Sequence, residues 1–349
     1  MARRRVTSQD VARQAGVSRT TVSMVLNNVQ GVNISEETRQ RVQEAAESLG
    51  YVPDAAAQAL ASRRAQTIGL ILTRSPHHIA SDVFLNQIMN GLIEAIQPLG
   101  FRLMLSIVET EHQRKAYKDL VHAKRIDGLI LSGPRMDDRA LQSLEEDRFP
   151  MVLMGQLPNT RLCSVDVDNR AAAQKAVNHL IQLGHRRIAC ITNAPLSFTA
   201  ASERLAGYRE ALEGAGLPYD ENLVRPGDFS PESGYVQMQS LLASGGPAAK
   251  PPFSAVFVAS DIVALGVKAA LREQGLDVPG DISMVGFDDV PLARFLDPPL
   301  TTIHLPALEL ARKASQMLID LIAGNHPEPD HLLLNTDLVL RESSGSPAA

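Results

Sequence analysis

From Thr67 onward, short apolar runs alternate with stretches of helical periodicity, and this alternation constrains the fold of the 349-residue chain more than any other feature. Candidate strands are 68–72, 102–107, 128–131, 151–154, 187–191, 255–259 and 282–286, with helical stretches such as 85–99, 170–183, 203–215 and 263–273 between them. Uninterrupted apolar runs suit strands buried on both faces, and the helices supply the crossovers that parallel strands need. The pattern therefore predicts parallel sheets covered by helices. About ten such strands over roughly 280 residues fit two stacked α/β subdomains better than one. Apolar residues make up 44% of the chain but aromatics only 4%, so Ala, Val, Leu and Ile do the packing.

The first 64 residues read differently. They hold nine Arg, no Lys and six acids, a net charge of +3 within a chain of net −5, which leaves −8 on the remainder. A basic head on an acidic body points to a head that meets phosphate. In "SQDVARQAGVSRTTVSMVLN" (8–27) the apolar residues recur at helical spacing. Thr7 or Ser8 can cap a first helix whose apolar face is Val11, Ala12 and Ala15; Asp10 sits in its first turn, where the dipole favours an acid. Gly16 supplies the positive φ that ends it. Ser18 caps a second helix, 19–26, with Val22, Val25 and Leu26 facing inward. This is a helix-turn-helix pattern. The outward face carries Arg19, Thr20, Thr21, Ser23 and Asn27, short hydrogen-bonding side chains suited to a major groove. A third helix, with Ser35 and Thr38 forming a partial capping box, brings Val42, Ala45, Ala46 and Leu49 to complete a three-helix core, and Gly50 stops it. The run 55–61 after Pro53 is helix-prone but too short and small-sided to stand alone, so it is expected to order only when paired.

"DVARQAGVSRTTVSMVLN", "ISEETRQRV", "LGYVPDAAAQALAS" and "TIGLIL" together resemble the lactose-repressor (LacI/GalR) family of bacterial transcription regulators, and the similarity runs over essentially the whole chain. The resemblance implies a helix-turn-helix DNA-binding domain (1–50), a hinge helix and linker (51–64), and an α/β effector-binding and dimerisation domain of type I periplasmic-binding-protein fold (65–349). The last would divide into subdomains of about 65–163 with 292–325 and about 164–291 with 326–341, with crossings near 162–166, 290–293 and 323–330. It further implies that the second helix enters the major groove of palindromic double-stranded operator DNA. Arg19, Thr20 and Met24 fall on base-reading positions, and Thr21, Ser23, Asn27 and Thr38 on positions touching phosphates or base edges. Tyr51 falls on a backbone contact, Ala57 against the minor-groove floor, and Leu60 on the residue wedged into the central step. Two positions depart from the pattern: Met24 stands where many members carry a basic or polar reader, and Ala59 where an Arg often precedes the hinge leucine.

"LGHRRIACIT" (183–192), "RLAGYREAL" (204–212) and "SMVGFDDVPLARFLDPPLTTI" (283–303) carry the resemblance through the body. Arg204 reads as a cationic fork on the first turn of a helix, where the dipole disfavours it and an anion or polar ligand would answer it. Asp288 ends a strand, where ligands of open α/β sheets sit. The resemblance places both in the effector site, with Phe229 as a stacking aromatic and Thr73, Phe84, Ser132 and Ser260 as further lining. Ser260 replaces an Asn of many sugar-binding members, Gly155 stands near a position that often holds Asp, and Leu305 and Ala307 occupy rim positions. These replacements leave fewer long polar side chains than a galactoside site has.

Cys163 and Cys190 lack partner spacing and are expected to be free thiols in a reducing cytoplasm. "MARRRVTSQD" is not followed by an apolar run, so no signal peptide is expected, and no run of membrane-spanning length occurs. His77–His78 reads as a loop pair, His185 as a turn residue, and His326 and His331 as part of an exposed connection. None has metal-ligand spacing, and no catalytic or phosphate-cradling motif is found, so neither metal nor cofactor is expected. "RESSGSPAA" reads as a short flexible tail without leucine heptads, which makes a homodimer the expected assembly. The expectation is a cytoplasmic DNA-binding regulator, a repressor in sign, controlled by a small molecule with a sugar favoured over a nucleoside or purine. A secreted solute-binding protein and an enzyme of sugar or nucleotide metabolism are the rival classes.

Overall fold

The computed structural model describes residues 6–27, 31–52, 64–73, 79, 82–108, 117, 119–121, 125–138, 140–243 and 251–348. The expected hinge helix, with Ala57, Ala59 and Leu60, and the His77–His78 pair lie outside them. The chain divides into two units, Met1–Gln66 and Thr67–Ala349.

In the first unit, α1 (Ser8–Ala15), α2 (Arg19–Leu26) and α3 (Glu36–Leu49) surround one small core. Thr7 donates its backbone N–H (3.0 Å) and its hydroxyl (2.7 Å) to Asp10, fixing the start of α1. Gly16 ends that helix in the left-handed region at φ 67°, where a side chain would be strained. The hydroxyls of Ser18 and Ser35 accept from the backbone N–H of Thr21 and Thr38 and cap α2 and α3. Val11, Ala12, Ala15, Val22, Val25, Val42, Ala45 and Ala46 are buried together, with Leu26, Leu49 and Tyr51 packed against them.

The second unit holds two six-stranded sheets. The first has the order β11-β5-β4-β3-β1-β2, from β1 (Thr67–Leu72), β2 (Arg102–Ile107), β3 (Gly128–Ser132), β4 (Met151–Met154), β5 (Cys163–Val167) and β11 (His331–Leu334), and all its pairings are parallel. The second has the order β12-β10-β9-β8-β6-β7, from β6 (Ile188–Ile191), β7 (Val224–Arg225), β8 (Ala255–Val258), β9 (Ser283–Asp288), β10 (Thr301–His304) and β12 (Asp337–Val339), with only β12 antiparallel. Helices α4 (Val83–Ile96), α5 (Ala140–Glu146), α6 (Asn169–Gln182), α7 (Thr199–Gly214), α8 (Pro231–Ala243), α9 (Asp261–Glu273) and α10 (Ala307–Ala323) cover them. Helices α8 and α9 approach closely: a Cβ on Gly266 would collide with the Pro231 carbonyl oxygen. Among the described residues, no helix is long and apolar enough to cross a membrane.

Strand membership moves the expected crossings. β5 belongs to the first sheet, so the chain leaves it after Val167, not at 162–166. β10 still belongs to the second sheet, so the return falls between His304 and Ala307, where α10 turns back onto β3, β4 and β5, not at 290–293. The last crossing lies between Leu334 and Asp337, not at 323–330. The strands concerned are short and carry Asp, Thr or His, so hydropathy alone does not mark them.

Three further expectations are corrected or sharpened. His331 is the first residue of β11, and its Nδ1 lies 2.9 Å from the Ser164 hydroxyl. The tail from Arg341 to Gly345 is not loose but fastened across β9 and β10. Arg341 donates to Asp289 (2.6 Å) and to Leu300 O (2.7 Å). The fully buried Ser343 hydroxyl donates to Met284 O and accepts from Thr301 N–H. His185, expected in a turn, is 1% exposed and bridges Ser254 and the Gly345 carbonyl, and burial pushes its imidazole pKa down.

Candidate functional site

Two surfaces present chemistry. On the helical unit, the apolar faces of α1 and α2 turn inward and leave Arg19, Thr20 and Ser23 exposed, with Thr21, Met24, Asn27 and Thr38 half-buried beside them. Asn27 donates to the Ser23 hydroxyl at 3.1 Å, and Arg41 to that of Thr38 at 3.5 Å. α2 itself contains no acid. Its outer face is a row of small donors and acceptors that an anionic backbone does not repel.

In the second unit a cavity of about 760 Å³, part of it open to solvent, lies between the two sheets at their carboxyl ends. From the first sheet come Ser132 at the end of β3 and Gly133 beyond it, Met154 at the end of β4 and Gly155 beyond it, Asp166 on β5, and Asp82 and Phe84 at the start of α4. From the second come Asn193 after β6, Phe198 and Thr199, Arg204 on α7, Phe229, Ser260 after β8 and Asp288 at the end of β9. Phe198 and Phe229 meet edge to face at 5.0 Å between centroids, and Phe229 adopts a left-handed backbone at φ 67°.

The floor of the cavity is one connected polar chain. Arg204 Nε donates to Asn169 Oδ1 (2.8 Å), and Nη1 donates to Ala259 O (2.7 Å) and reaches Asp288 at 3.5 Å. The guanidinium also lies 3.6 Å from the centroid of the Phe287 ring. Asn169 donates to both oxygens of Asp166, and the Ser260 hydroxyl donates to Asp288 (2.9 Å). Behind Asp288, Asp261 accepts from the Thr302 hydroxyl (2.6 Å) and from Val290 N–H (2.9 Å). Burial pushes the Arg204 pKa down, against the charges of Asp288 and Asp166. Burial raises Asp166 to about 6, with Arg204 pulling the other way. Burial and the neighbouring charge of Asp288 hold Asp261 well above the usual carboxylate range. Such a water-poor, pre-bonded floor strengthens every directed contact made to it.

Of the residues expected in the effector site, Phe84, Ser132, Arg204, Phe229, Ser260 and Asp288 line this cavity, as do Leu305 and Gly155. Thr73 does not: its buried hydroxyl donates to Gly133 O (3.0 Å) and shapes the turn that carries Gly133 and Pro134. Ala307 is buried outside the lining. α7 begins at Thr199, so Arg204 stands in its second turn, clear of the positive dipole end. The motifs do not single out Asp166, Asn169, Asn193 and Phe198: β5 is absent from the candidate strands, and Asn193 and Phe198 lie in the loop between β6 and α7, although "VDVDN" (165–169) sets an acid inside an apolar strand.

A small helix-turn-helix unit followed by a two-sheet unit with a polar cleft defines an effector-responsive DNA-binding regulator. The family model for bacterial regulatory proteins of the lacI family matches residues 7–54, and that for a periplasmic binding protein-like domain matches residues 177–344. The HTH-type transcriptional regulator CelR of Thermobifida fusca is 37% identical over 344 residues, covering 98% of this chain and 99% of its own. The HTH-type transcriptional repressor CytR of Escherichia coli K12 is 36% identical over 342 residues, covering 97% and 96%. The crystal structure of the lac repressor dimer bound to operator and the anti-inducer ONPF superposes with a TM-score of 0.83 at 32% identity, covering 98% of this chain and all of the other. The transcriptional regulator CelR in complex with cellobiose gives 0.74 at 36% identity, covering 97% and all of that chain. The chain belongs to the LacI family of bacterial transcription regulators: it is a DNA-binding regulator that responds to a small molecule.

Proposed function

We propose that this regulator is a homodimeric repressor in the bacterial cytoplasm, that α2 reads each half-site of a palindromic operator, and that an uncharged sugar bound in the cleft sets its affinity for DNA. The observation that carries the reading is the buried Arg204–Asp288 pair at the cleft floor, which presents directed donors and acceptors beside the Phe198–Phe229 pair. A sugar ring uses both kinds of surface, polar at its hydroxyls and apolar on its face. The cellobiose complex of the CelR relative supports a sugar as ligand class.

On the DNA side, Arg19, Thr20 and Met24 are assigned to base edges, and Thr21, Ser23, Asn27, Thr38 and Tyr51 to phosphates or flanking edges. Ala57 and Leu60 are assigned to the minor groove on sequence grounds alone. In the cleft, Phe84, Ser132, Arg204, Phe229, Ser260 and Asp288 are assigned to the effector. We read the chain as a binding switch and not an enzyme, because the cleft's charged groups are fastened to one another. Effector and operator affinities then change reciprocally.

The test is fluorescence anisotropy on a labelled palindrome from upstream of the protein's own gene, at near-physiological salt so that non-specific binding is suppressed. Sugars and nucleosides are added one at a time. Salt-resistant binding shifted by one sugar supports the reading, and its direction gives the sign of control. A shift by nucleosides alone, or none by any compound, overturns the sugar assignment.

A further inference from the structure

Among the described residues, a single buried side-chain oxygen or nitrogen has no hydrogen-bond partner: Oδ1 of Asn193. The residue is 5% exposed and lines the cleft. Its amide nitrogen has no hydrogen-bond partner among the described residues. Buried polar groups are nearly always bonded, and an exception calls for a partner from outside the chain.

The backbone that carries it is held in place. The Asn193 main-chain carbonyl oxygen accepts from Phe229 N–H at 2.8 Å. Next to it, the Thr192 hydroxyl donates to Ala194 O (2.7 Å) and accepts from Gly227 N–H (3.3 Å). These bonds join the loop after β6 to the segment that carries Phe229. β6, β8 and β9 are adjacent in the sheet, and Asn193, Ser260 and Asp288 stand at the carboxyl ends of these three neighbours. The end two differ in kind. Asp288 is already bonded to Ser260 and Arg204, whereas the Oδ1 of Asn193 accepts no hydrogen bond.

A free carboxamide offers one acceptor and two donors close together. Its natural complement is a pair of neighbouring hydroxyls, one donating and one accepting. The charge of the walls narrows the class further. Asp82, Asp166 and Asp288 line the cleft against one Arg204, whose guanidinium is already engaged by Asn169, Ala259 and Asp288. Among the described residues that line the cleft, no second Lys, Arg or His is present to receive a phosphate or carboxylate.

We infer that Asn193 is a specificity-determining residue of the effector site and that it binds a vicinal diol of an unphosphorylated sugar. This rests on the proposed reading of the cleft as the effector site.

The test uses the full-length protein, its Asn193→Ala variant and isothermal titration calorimetry with glucose, cellobiose, galactose, their available monodeoxy analogues, glucose 6-phosphate and adenosine. The expected result has three parts. Wild type binds a neutral sugar, and Asn193→Ala loses about 10- to 100-fold in affinity for it. One deoxy analogue loses a similar factor on wild type and nothing further on the variant. Without ligand, the thermal midpoint of the variant is unchanged or higher, because no intramolecular bond is removed; a lower midpoint would mark a structural role and overturn the assignment. If Asn193→Ala binds the sugar as wild type does, the inference fails while the reading of the cleft stands. Tightest binding of glucose 6-phosphate or adenosine overturns the ligand class. Binding of none of these compounds overturns both.

Discussion

The two walls of the cleft differ in how they are built. The wall from the second sheet is polar and pre-bonded, with Arg204, Asp288 and Ser260 joined in one chain and Asn193 beside it. The wall from the first sheet is small and mostly apolar, formed by Phe84, Gly133, Pro134, Met154 and Gly155. Its Asp82 is engaged in capping α4 through Leu85 N–H at 3.0 Å. Asp166 is the exception, since it stands on the first sheet and is bonded to Asn169, the first residue of a helix on the second. The difference suggests a division of labour: the second wall chooses the ligand, the first shapes the space, and the Asp166–Asn169 link ties them across the crossing.

Arg204→Ala should have the largest effect. It strands Asp288 and Asp166 without their cation, and breaking a buried pair costs about 3–5 kcal/mol. A fall of several degrees in the thermal midpoint is expected; an unchanged midpoint would mean that the floor is not held by this residue.

Asp288→Asn comes next. It keeps the shape but removes the charge facing Arg204 and turns one of the two oxygens that serve Arg204 and the Ser260 hydroxyl into a donor. Effector affinity should fall by about 10- to 100-fold, as when a charge-assisted hydrogen bond is lost. Calorimetry with whichever sugar binds wild type measures it. An equal loss from a first-wall change such as Met154→Ala would erase the contrast between the walls.

Asp166 sharpens the comparison through pH. Its pKa in the fold is about 6, above the ordinary carboxylate value of 3.8. The folded state therefore binds more protons than the unfolded state between those two values, so this group's contribution to stability falls as pH rises through the window. Its full penalty is present above about pH 6 and absent below about pH 4. Asp166→Asn should be more stable than wild type at pH 7.5, and the gap should close toward pH 4.5. Denaturant midpoints at the two pH values test this, and a gap that widens on acidification contradicts it.

Ser132→Ala should have the smallest effect, an affinity change of less than about threefold, because a lone hydroxyl on the shaping wall contributes on the order of one weak hydrogen bond. A tenfold loss in the same titration would move first-wall residues into ligand selection.

The legible and the hidden parts of the molecule separate by the range of the interactions that define them. The helix-turn-helix could be read almost to the residue, because caps at Thr7, Ser18 and Ser35, the left-handed Gly16 and the apolar positions Val11 to Val25 all act within a turn or two of chain. The apolar strands β1 to β4 were legible for the same reason. β5, β10, β11 and β12 were not, since Asp166, Thr301, Thr302 and His331 interrupt their apolar patterns, and β5 and β11 find each other only across 167 residues of chain.

By itself the sequence determined the element types, the division into a basic helical head and an α/β body, and, through its motifs, Arg204, Asp288 and the outward polar row of α2. Tertiary structure alone decided which sheet each short strand joins, where the chain crosses, and that the last residues are fastened over β9 and β10. It also brought Asp166, Asn169, Arg204 and Asp288 into one chain and left the Oδ1 of Asn193 without a partner. The physical reason is that caps, turns and periodicity depend on neighbours in sequence, whereas burial, charge pairing and an unmet hydrogen bond depend on what distant segments bring to the same place.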